Sequence, residues 1–484
     1  MSITIASIGL ATAQGSAAEI LSGRPPAPPR DMPWPLHPRT RCRVCHPARV
    51  VPNNIEGPAR WRALARAALD ECQRSPRPGT PLVVASCNGG AYSTDTASWV
   101  NAFDARSLLA GTPWAEQPVP IVSGSCASGL HALFLAARLL TGDVREVIVL
   151  AVDILSPSNH DNFEALKVLA THPGTPWQAT SQGFIPGEAA VALRVTRNGE
   201  AERGVQAEIP VLRQDLDGQD GLRDVVSAFR SRAHSVLVGQ GTGPWAVDAV
   251  ELSALDSLSD HATPITTPTL HFGHTLGASG LLSLSLAALA QQLGELPPAL
   301  RMPRGAAGTG RPLADRMPSG DEGGMLVICR ALSGACAATE VASAREPLTP
   351  WRQTRYHLPA APEPAFNSVL RRITADASGL RPAAAPDVLL VRLEAPLVPA
   401  PSGMIGDRLL PHAVLEITPA SIPRLIARLW GYRGPALCLV GDGGTESSAD
   451  AIVAACRTAG ETVAEIRVRG TGYERSLDWH VSPS

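Results

Sequence analysis

Cys126 stands in the segment Gly124-Ser125-Cys126-Ala127-Ser128-Gly129, between a run of strand formers at Val119–Ser123 and the apolar stretch that begins at Ser128. A helix starting there leaves its first N–H groups without intrahelical partners and turns the positive end of its dipole toward the sulfur. Both effects favour a thiolate, so the spacing predicts a lowered thiol pKa and a nucleophile at neutral pH. The small neighbours leave room for an acyl chain, and a nearby backbone N–H can serve as an oxyanion hole. The plainer alternative is a buried cysteine that only packs.

Other chemistry-bearing residues have bland readings beside the sharp ones. Cys42-Arg43-Val44-Cys45-His46 spells a haem-attachment string and half of a zinc knuckle, with His37 nearby, yet no second C-x-x-C follows. Two loop thiols are the alternative to a small metal site. His131, inside the apolar stretch, reads as a satisfied core histidine. His160 and His172 either line an acyl pocket or pack in a loop-rich region. Gly441-Asp442-Gly443-Gly444 either cradles a phosphate at a helix N-terminus or forms a plain turn.

These residues need elements to hold them. Residues 3–9 read as a short buried strand, Arg24–Pro52 as an extended Pro/Arg-rich surface segment, and Trp61–Gln73 as a helix. Pro81–Ser86 and Val119–Ser123 read as strands. Residues 128–140 are apolar on nearly every face, which places that helix in the middle of a fold. Val147–Val152 is a fully buried strand, so strand, Cys126, helix and strand form a βαβ unit with a right-handed crossover. Val236–Val238, the apolar helix Leu281–Leu293 and the strand Met325–Cys329 partly repeat that pattern.

A composition shift near Ser343 introduces five prolines within residues 344–365. Beyond it strands and helices alternate again. Pro435–Gly441, a helix, Gly460 and a strand echo Pro120–Gly124, a helix, Gly142 and a strand, but no cysteine marks the second helix entry. This unit is either a truncated repeat of the first half or an unrelated α/β module. The expected division is 1–195, 196–343 and 344–484.

The chain has 484 residues, 44% hydrophobic and 18% charged, as a protein with a sizeable core would. A net charge of -2 and 4% aromatics argue against a nucleic-acid partner. No apolar run is expected to reach the roughly 18–20 residues of a membrane span. The N-terminus Met1–Ala6 lacks the basic start of a signal peptide, and nine scattered cysteines suit a reducing, cytoplasmic setting.

Four ordered segments resemble those of the β-ketoacyl synthases, in the thiolase-like superfamily. Ser125-Cys126-Ala127-Ser128-Gly129-Leu130 resembles the nucleophile segment, and Gly183-Phe184-Ile185-Pro186-Gly187-Glu188-Ala189-Ala190 the GF-x-x-GEGA segment. Gly239–Glu251 resembles HGTGT-x-x-x-D-x-x-E, keeping Gly241-Thr242-Gly243, Asp248 and Glu251. Gly273-His274-Thr275-Leu276-Gly277-Ala278-Ser279-Gly280 resembles GH-x-x-GAAG. The resemblance covers residues 1 to about 335. It implies a thiolase-like α/β/α/β/α sandwich of two βαβ-rich halves, with a C-terminal α/β unit added.

By resemblance, Cys126, His274 and Gln240 are the catalytic set, and Thr242, Phe184, Gly323 and Gly324 the substrate-binding set. The departures are instructive. Elongating members use two histidines to stabilise the enolate formed on malonyl decarboxylation; here the first is Gln240, which donates a neutral hydrogen bond but cannot exchange a proton. The family's lysine is Thr269 and its glutamate Ser283, so a buried ion pair is absent as a pair. Gly320–Gly324 stands where the gating loop with its phenylalanine is expected. The resemblance thus implies acyl transfer through Cys126, without decarboxylative elongation, from acyl carrier protein or coenzyme A. The alternatives are a condensing enzyme using Gln240 and His274, with His271 as a spare imidazole, or a non-catalytic partner similar to a chain-length factor. No cofactor or metal is implied, and a homodimer or a heterodimer with another synthase-like chain is expected.

Overall fold

A computed structural model describes residues 2–36, 40–72, 79–93, 102–140, 143–172, 174–198, 204–215, 220–258, 260–318, 323–342, 382, 386–393, 404–405, 408–409, 419–441, 444–458, 460–469 and 476–482. The first half contains β1 (Ser2–Thr12), α1 (Gly57–Cys72), β2 (Leu82–Ala85), β3 (Ile121–Val122), α2 (Ser128–Leu139), β4 (Glu146–Asp153) and β5 (Ala189–Arg197). The second contains β6 (Val205–Glu208), β7 (Val211–Gln214), β8 (His234–Val238), α3 (Trp245–Leu255), β9 (Ile265–Thr266), α4 (Ser279–Leu293), β10 (Gly324–Arg330) and β11 (Ala335–Ala342). The C-terminal unit contributes β12 (Val388–Leu393), α5 (Ser421–Trp430), β13 (Ala436–Val440), α6 (Gly444–Thr458), β14 (Val463–Arg469) and β15 (Ser476–Ser482).

All of these strands join one 15-stranded mixed sheet in the order β9-β8-β10-β11-β6-β1-β5-β4-β2-β3-β13-β12-β14-β15, with β7 beside β11. Side-chain alternation along buried strands makes both faces apolar. On β4, Val147, Val149 and Ala151 enter the core that holds α2 and α4, while Ile148, Leu150 and Val152 enter the core under α1. On the far side, α3 packs on β8 and β10 through Leu252, Leu237 and Leu326. The result is the five-layered thiolase-like α/β/α/β/α sandwich, with α2 and α4 as its middle layer. These two helices approach closely because Gly129 lacks a side chain; a Cβ there would lie 2.8 Å from that of Leu281.

Leu276–Leu293 does reach 18 residues with a mean hydropathy of 1.3, longer than the sequence led us to expect. Because 83% of it is buried inside the protein, its apolarity belongs to the middle layer.

The C-terminal unit repeats the connectivity of the first half. In the first half β2 pairs in parallel with β3 and β4, and β4 pairs antiparallel with β5. In the C-terminal unit β12 pairs in parallel with β13 and β14, and β14 pairs antiparallel with β15. The sequence echo therefore falls on equivalent stations, β3–α2–β4 and β13–α6–β14. The two segments meet edge to edge: Val122 and Ile121 of β3 pair antiparallel with Leu439 and Val440 of β13. The Ser123 N–H donates to the Cys438 carbonyl at 2.9 Å. α6 enters the same core layer as α2 through Ile452 and Val453, and α5 enters the outer layer through Ile422 and Ile426. Arg138 at the end of α2 clasps Glu461 with contacts of 2.9 and 2.5 Å.

Candidate active site

Cys126 sits at the turn from β3 into α2. Ser125 takes a left-handed backbone (φ 51°), and the Ser128 hydroxyl ties the turn by accepting from the Gly124 N–H at 2.9 Å and donating to the Ser125 carbonyl at 2.6 Å. A non-glycine residue at positive φ persists where its surroundings over-determine it. The turn presents Cys126 at the floor of a pocket of about 410 Å³, open mouth included. Phe163, Val168, Phe184, Pro244 and Val247 form apolar walls, Thr242 adds a hydroxyl, and Arg330, Ala331 and Leu332 complete the lining.

His274 lies against the sulfur, its Nε2 3.1 Å from Cys126 Sγ. Two sequence segments pair to put it there: the His274 N–H donates to the Ile185 carbonyl at 2.8 Å, and the Gly187 N–H to the His274 carbonyl at 3.0 Å. The Phe184 ring packs on the imidazole at 4.6 Å between centroids. Burial pushes the imidazole pKa down to about 4, so His274 is neutral at physiological pH.

The thiol departs from the sequence expectation. Burial, with the Asp153 carboxylate second, pushes Cys126 up to about 12. Two backbone N–H groups, of Cys126 and Leu332, donate toward the sulfur and oppose that rise. The helix entry therefore does not make a resting thiolate; it places two amide donors around a neutral thiol beside a neutral base. Asp153 itself is wholly buried and held by the Ser86 hydroxyl (2.7 Å) and the N–H groups of Cys87 (2.8 Å) and Gly277 (2.7 Å).

Gln240 is set by its neighbours. Glu251 accepts from the N–H groups of Gln240 (2.6 Å) and Gly241 (2.9 Å) and from the Trp177 indole (2.7 Å). Asp248 accepts from the Gly243 and Trp177 N–H groups, at 2.9 and 2.8 Å. Burial and then Glu251 raise the Asp248 carboxyl to about 7. The Gln240 Oε1 accepts from the Arg330 N–H at 3.1 Å, which leaves Nε2 as a buried donor without a protein partner. Among the described residues no hydrogen bond joins Gln240 to Cys126 or His274. Thr269, in the family's lysine position, donates to the Gln240 carbonyl at 2.6 Å, and Ser283 is buried in α4.

The structure thus gathers Cys126, His274, Thr242 and Phe184 around one pocket and sets Gln240 behind the Arg330 backbone. Gly323 and Gly324 are elsewhere. They precede and begin β10, where added Cβ atoms would strike the Ser235 and His234 backbone and the Glu340 side chain. The loop that reaches the sulfur leaves the other end of that strand, at Ala331 and Leu332. It has no phenylalanine to mark it, and the glycine-rich run upstream drew the sequence reading one strand too early.

The remaining candidates have separate tasks. Cys42 and Cys45 are fully buried under Phe184 and Ile185, their thiols directed to the Val44 and Asp31 carbonyls; the 24–52 segment is in this part a packed cover, not a surface strap. Among the described residues no group of three or more His, Cys, Asp or Glu side chains converges as metal ligands would. His160 contacts the Cys42 carbonyl at 3.0 Å, outside the pocket lining, and His172 is exposed. His271 contacts the Arg301 carbonyl at 3.1 Å and does not line the pocket. His131 is buried with neither ring nitrogen partnered, contrary to the satisfied core histidine expected. Gly441-Asp442-Gly443-Gly444 lies partly outside the described residues.

Residues 115–201 match the model of the β-ketoacyl synthase N-terminal domain, and residues 219–302 that of the β-ketoacyl synthase C-terminal domain. The spectinabilin polyketide synthase system protein NorA' of Streptomyces orinoci is 28% identical over 280 residues, 50% of this chain and 8% of that protein. The chain thus spans a small part of the curated relatives it matches first. Among solved structures, the PfaC keto synthase–chain length factor superposes with a TM-score of 0.70 at 12% identity, covering 96% of this chain and 74% of that one. A ketosynthase from module 6 of the bacillaene synthase of Bacillus subtilis 168 gives 0.59 at 16% identity and covers 72% of this chain and 73% of that one. At such identities these likenesses speak for the fold.

Proposed function

Because this chain belongs to the β-ketoacyl synthase family, through residues 115–201 and 219–302, we propose that it is an acyltransferase of polyketide or fatty-acid-like biosynthesis that works without decarboxylative elongation. An acyl carrier protein or coenzyme A thioester enters the apolar pocket with its carbonyl oxygen between the Cys126 and Leu332 N–H groups. The Cys126 sulfur attacks, the thiol proton passes to His274 Nε2, and the C–S bond to the donor breaks as that proton returns to the leaving thiol. A second nucleophile then takes the acyl group in the reverse sense and leaves its proton to restore the thiol.

The observation that carries this reading is Gln240. Its oxygen is committed to the Arg330 N–H, so it offers one neutral donor where an elongating synthase has an imidazole. The pocket retains what thioester exchange needs and lacks the second proton-exchanging group. Intact-mass measurement after incubation with acyl-CoA or acylated carrier protein tests it: one acyl mass is expected on the wild type and none on Cys126→Ala. Equal gain on both sinks the reading.

The runner-up is condensation, supported by the two neutral donors, Gln240 Nε2 and His274. Release of carbon dioxide from a malonyl donor with acyl-loaded protein would favour it. A purely non-catalytic partner role fits poorly with a cysteine, a histidine at 3.1 Å and an open pocket. We further propose that the C-terminal unit takes the place of a partner chain, since β13 already occupies the β3 edge.

A further inference from the structure

The loop Ala331–Gly334 brings Ala331 and Leu332 to the pocket that Cys126 lines, with the Leu332 N–H near enough to the sulfur to favour its anion, so its position matters to the site. It is held mostly from outside. Its start is tied by the Arg330 guanidinium to the buried Asp215 at 3.4 Å. The Gln214 amide donates to the Ser333 carbonyl at 2.9 Å, and the Asp215 N–H to the Gly334 carbonyl at 2.7 Å. Leu332 itself has its side chain at the pocket mouth, 39% exposed. Its carbonyl accepts from Arg424 Nη1 at 3.0 Å. Arg424 lies on α5, so it comes from the C-terminal unit, 92 residues on.

The placement of Arg424 is costly in itself. Burial and the neighbouring cations Arg428 and Arg330 work against its charge, and Asp215 favours it. Its Nε lies 3.1 Å from where a Cβ on Gly334 would stand, so it lies against the loop at both carbonyl and glycine. The Leu332 carbonyl belongs to the peptide plane after the residue and its N–H to the plane before, so Arg424 holds the following plane and acts on the N–H through the two Leu332 backbone torsions.

We propose that Arg424 is a positioning residue of the active site: through the Leu332 carbonyl it aims the Leu332 N–H at the oxyanion formed on Cys126, so the C-terminal unit completes the catalytic pocket. This rests on the reading of Cys126 as the acyl carrier. Removing a single oxyanion donor slows acyl chemistry by about 10²–10³-fold, and misaiming one should cost less, roughly tenfold.

The test compares two reactions of the same sulfur in the full chain. Both reactions feel the amides through the thiol pKa, but only loading from an acyl-CoA forms an oxyanion for them to hold; alkylation by iodoacetamide, followed at the Cys126 peptide by mass spectrometry, forms none and serves as the reference. In Arg424→Ala the ratio of loading to alkylation is expected to fall roughly tenfold, and Arg424→Lys, which keeps a donor, should recover most of it. Glu461→Ala, which weakens docking of the C-terminal unit at α2 without touching the loop, should leave the ratio unchanged. Melting curves identify any variant that has lost its fold, in which case Arg424→Lys against Arg424→Gln decides. An unchanged ratio in the Arg424 variants, or an equal fall in Glu461→Ala, overturns the assignment while leaving acyl loading intact. Normal alkylation of the wild type with no loading at all overturns the acyl-carrier reading, and this one with it.

Discussion

The first half of the molecule and its C-terminal unit share a strand order and differ at one helix entry. Both pair their four strands in the same parallel and antiparallel pattern, the C-terminal unit with α5 between its first two strands, and both bury the helix that follows the second strand. In the first half that helix begins at a strained turn bearing Cys126; in the C-terminal unit the sequence there has no cysteine. One architecture thus carries the candidate nucleophile in one copy and closes an edge in the other. The layer structure confers neither role. What separates them is a handful of residues at one turn, together with a second half, residues 205–342, that brings His274 and Leu332 to the first copy.

Breaking the chemical side of the comparison should give the largest effects. Cys126→Ala abolishes the acyl adduct seen by intact mass. His274→Ala removes the imidazole that, among the described residues, contacts the sulfur, and should slow loading by about 10²–10⁴-fold, read by single-turnover kinetics. The next effect separates buried charges in the two regions. Glu188 holds Arg60 and accepts from Ala48 N–H at 2.7 Å and Leu155 N–H at 3.1 Å. Glu188→Ala should cost about 3–5 kcal/mol by denaturant titration, because it strands a buried cation. Arg138 and Glu461 join the regions with side chains 17% and 21% exposed, so Glu461→Ala should cost only about 1 kcal/mol in the same titration.

The pH response sharpens the contrast between a nucleophile that rests ionised and one that does not. With Cys126 near 12 and His274 near 4, the pair is neutral across the physiological range. Alkylation of Cys126 through the free thiolate should therefore climb about tenfold per pH unit from 6 to 9 with no plateau. A plateau near pH 7 would mean that the helix entry and its two amides outweigh burial. The mildest test concerns assembly: with β3 covered by β13, light scattering should return the mass of one chain.

How far the sequence could be read follows from the range of the forces involved. Apolar runs revealed α2, α4 and β4, because burial on all sides leaves no polar face. The four motif segments carry Cys126, His274, Thr242 and Phe184, which line one pocket. What failed depended on distant contacts. The thiol pKa is set by burial and by Asp153, on a different element. The loop at Leu332 is recognisable only by its return to the sulfur after β10. The pairing of Val122 with Leu439 spans more than 300 positions, and no local pattern announces it.

The covered edge has a consequence for how the molecule behaves on dilution. Two separate chains meeting at β3 would part once their concentration fell below a dissociation constant. Here the second sheet segment belongs to the same chain, so its docking is a first-order event governed by an effective concentration rather than by the amount of protein. Completeness of the pocket should then be independent of how little of the protein a cell makes.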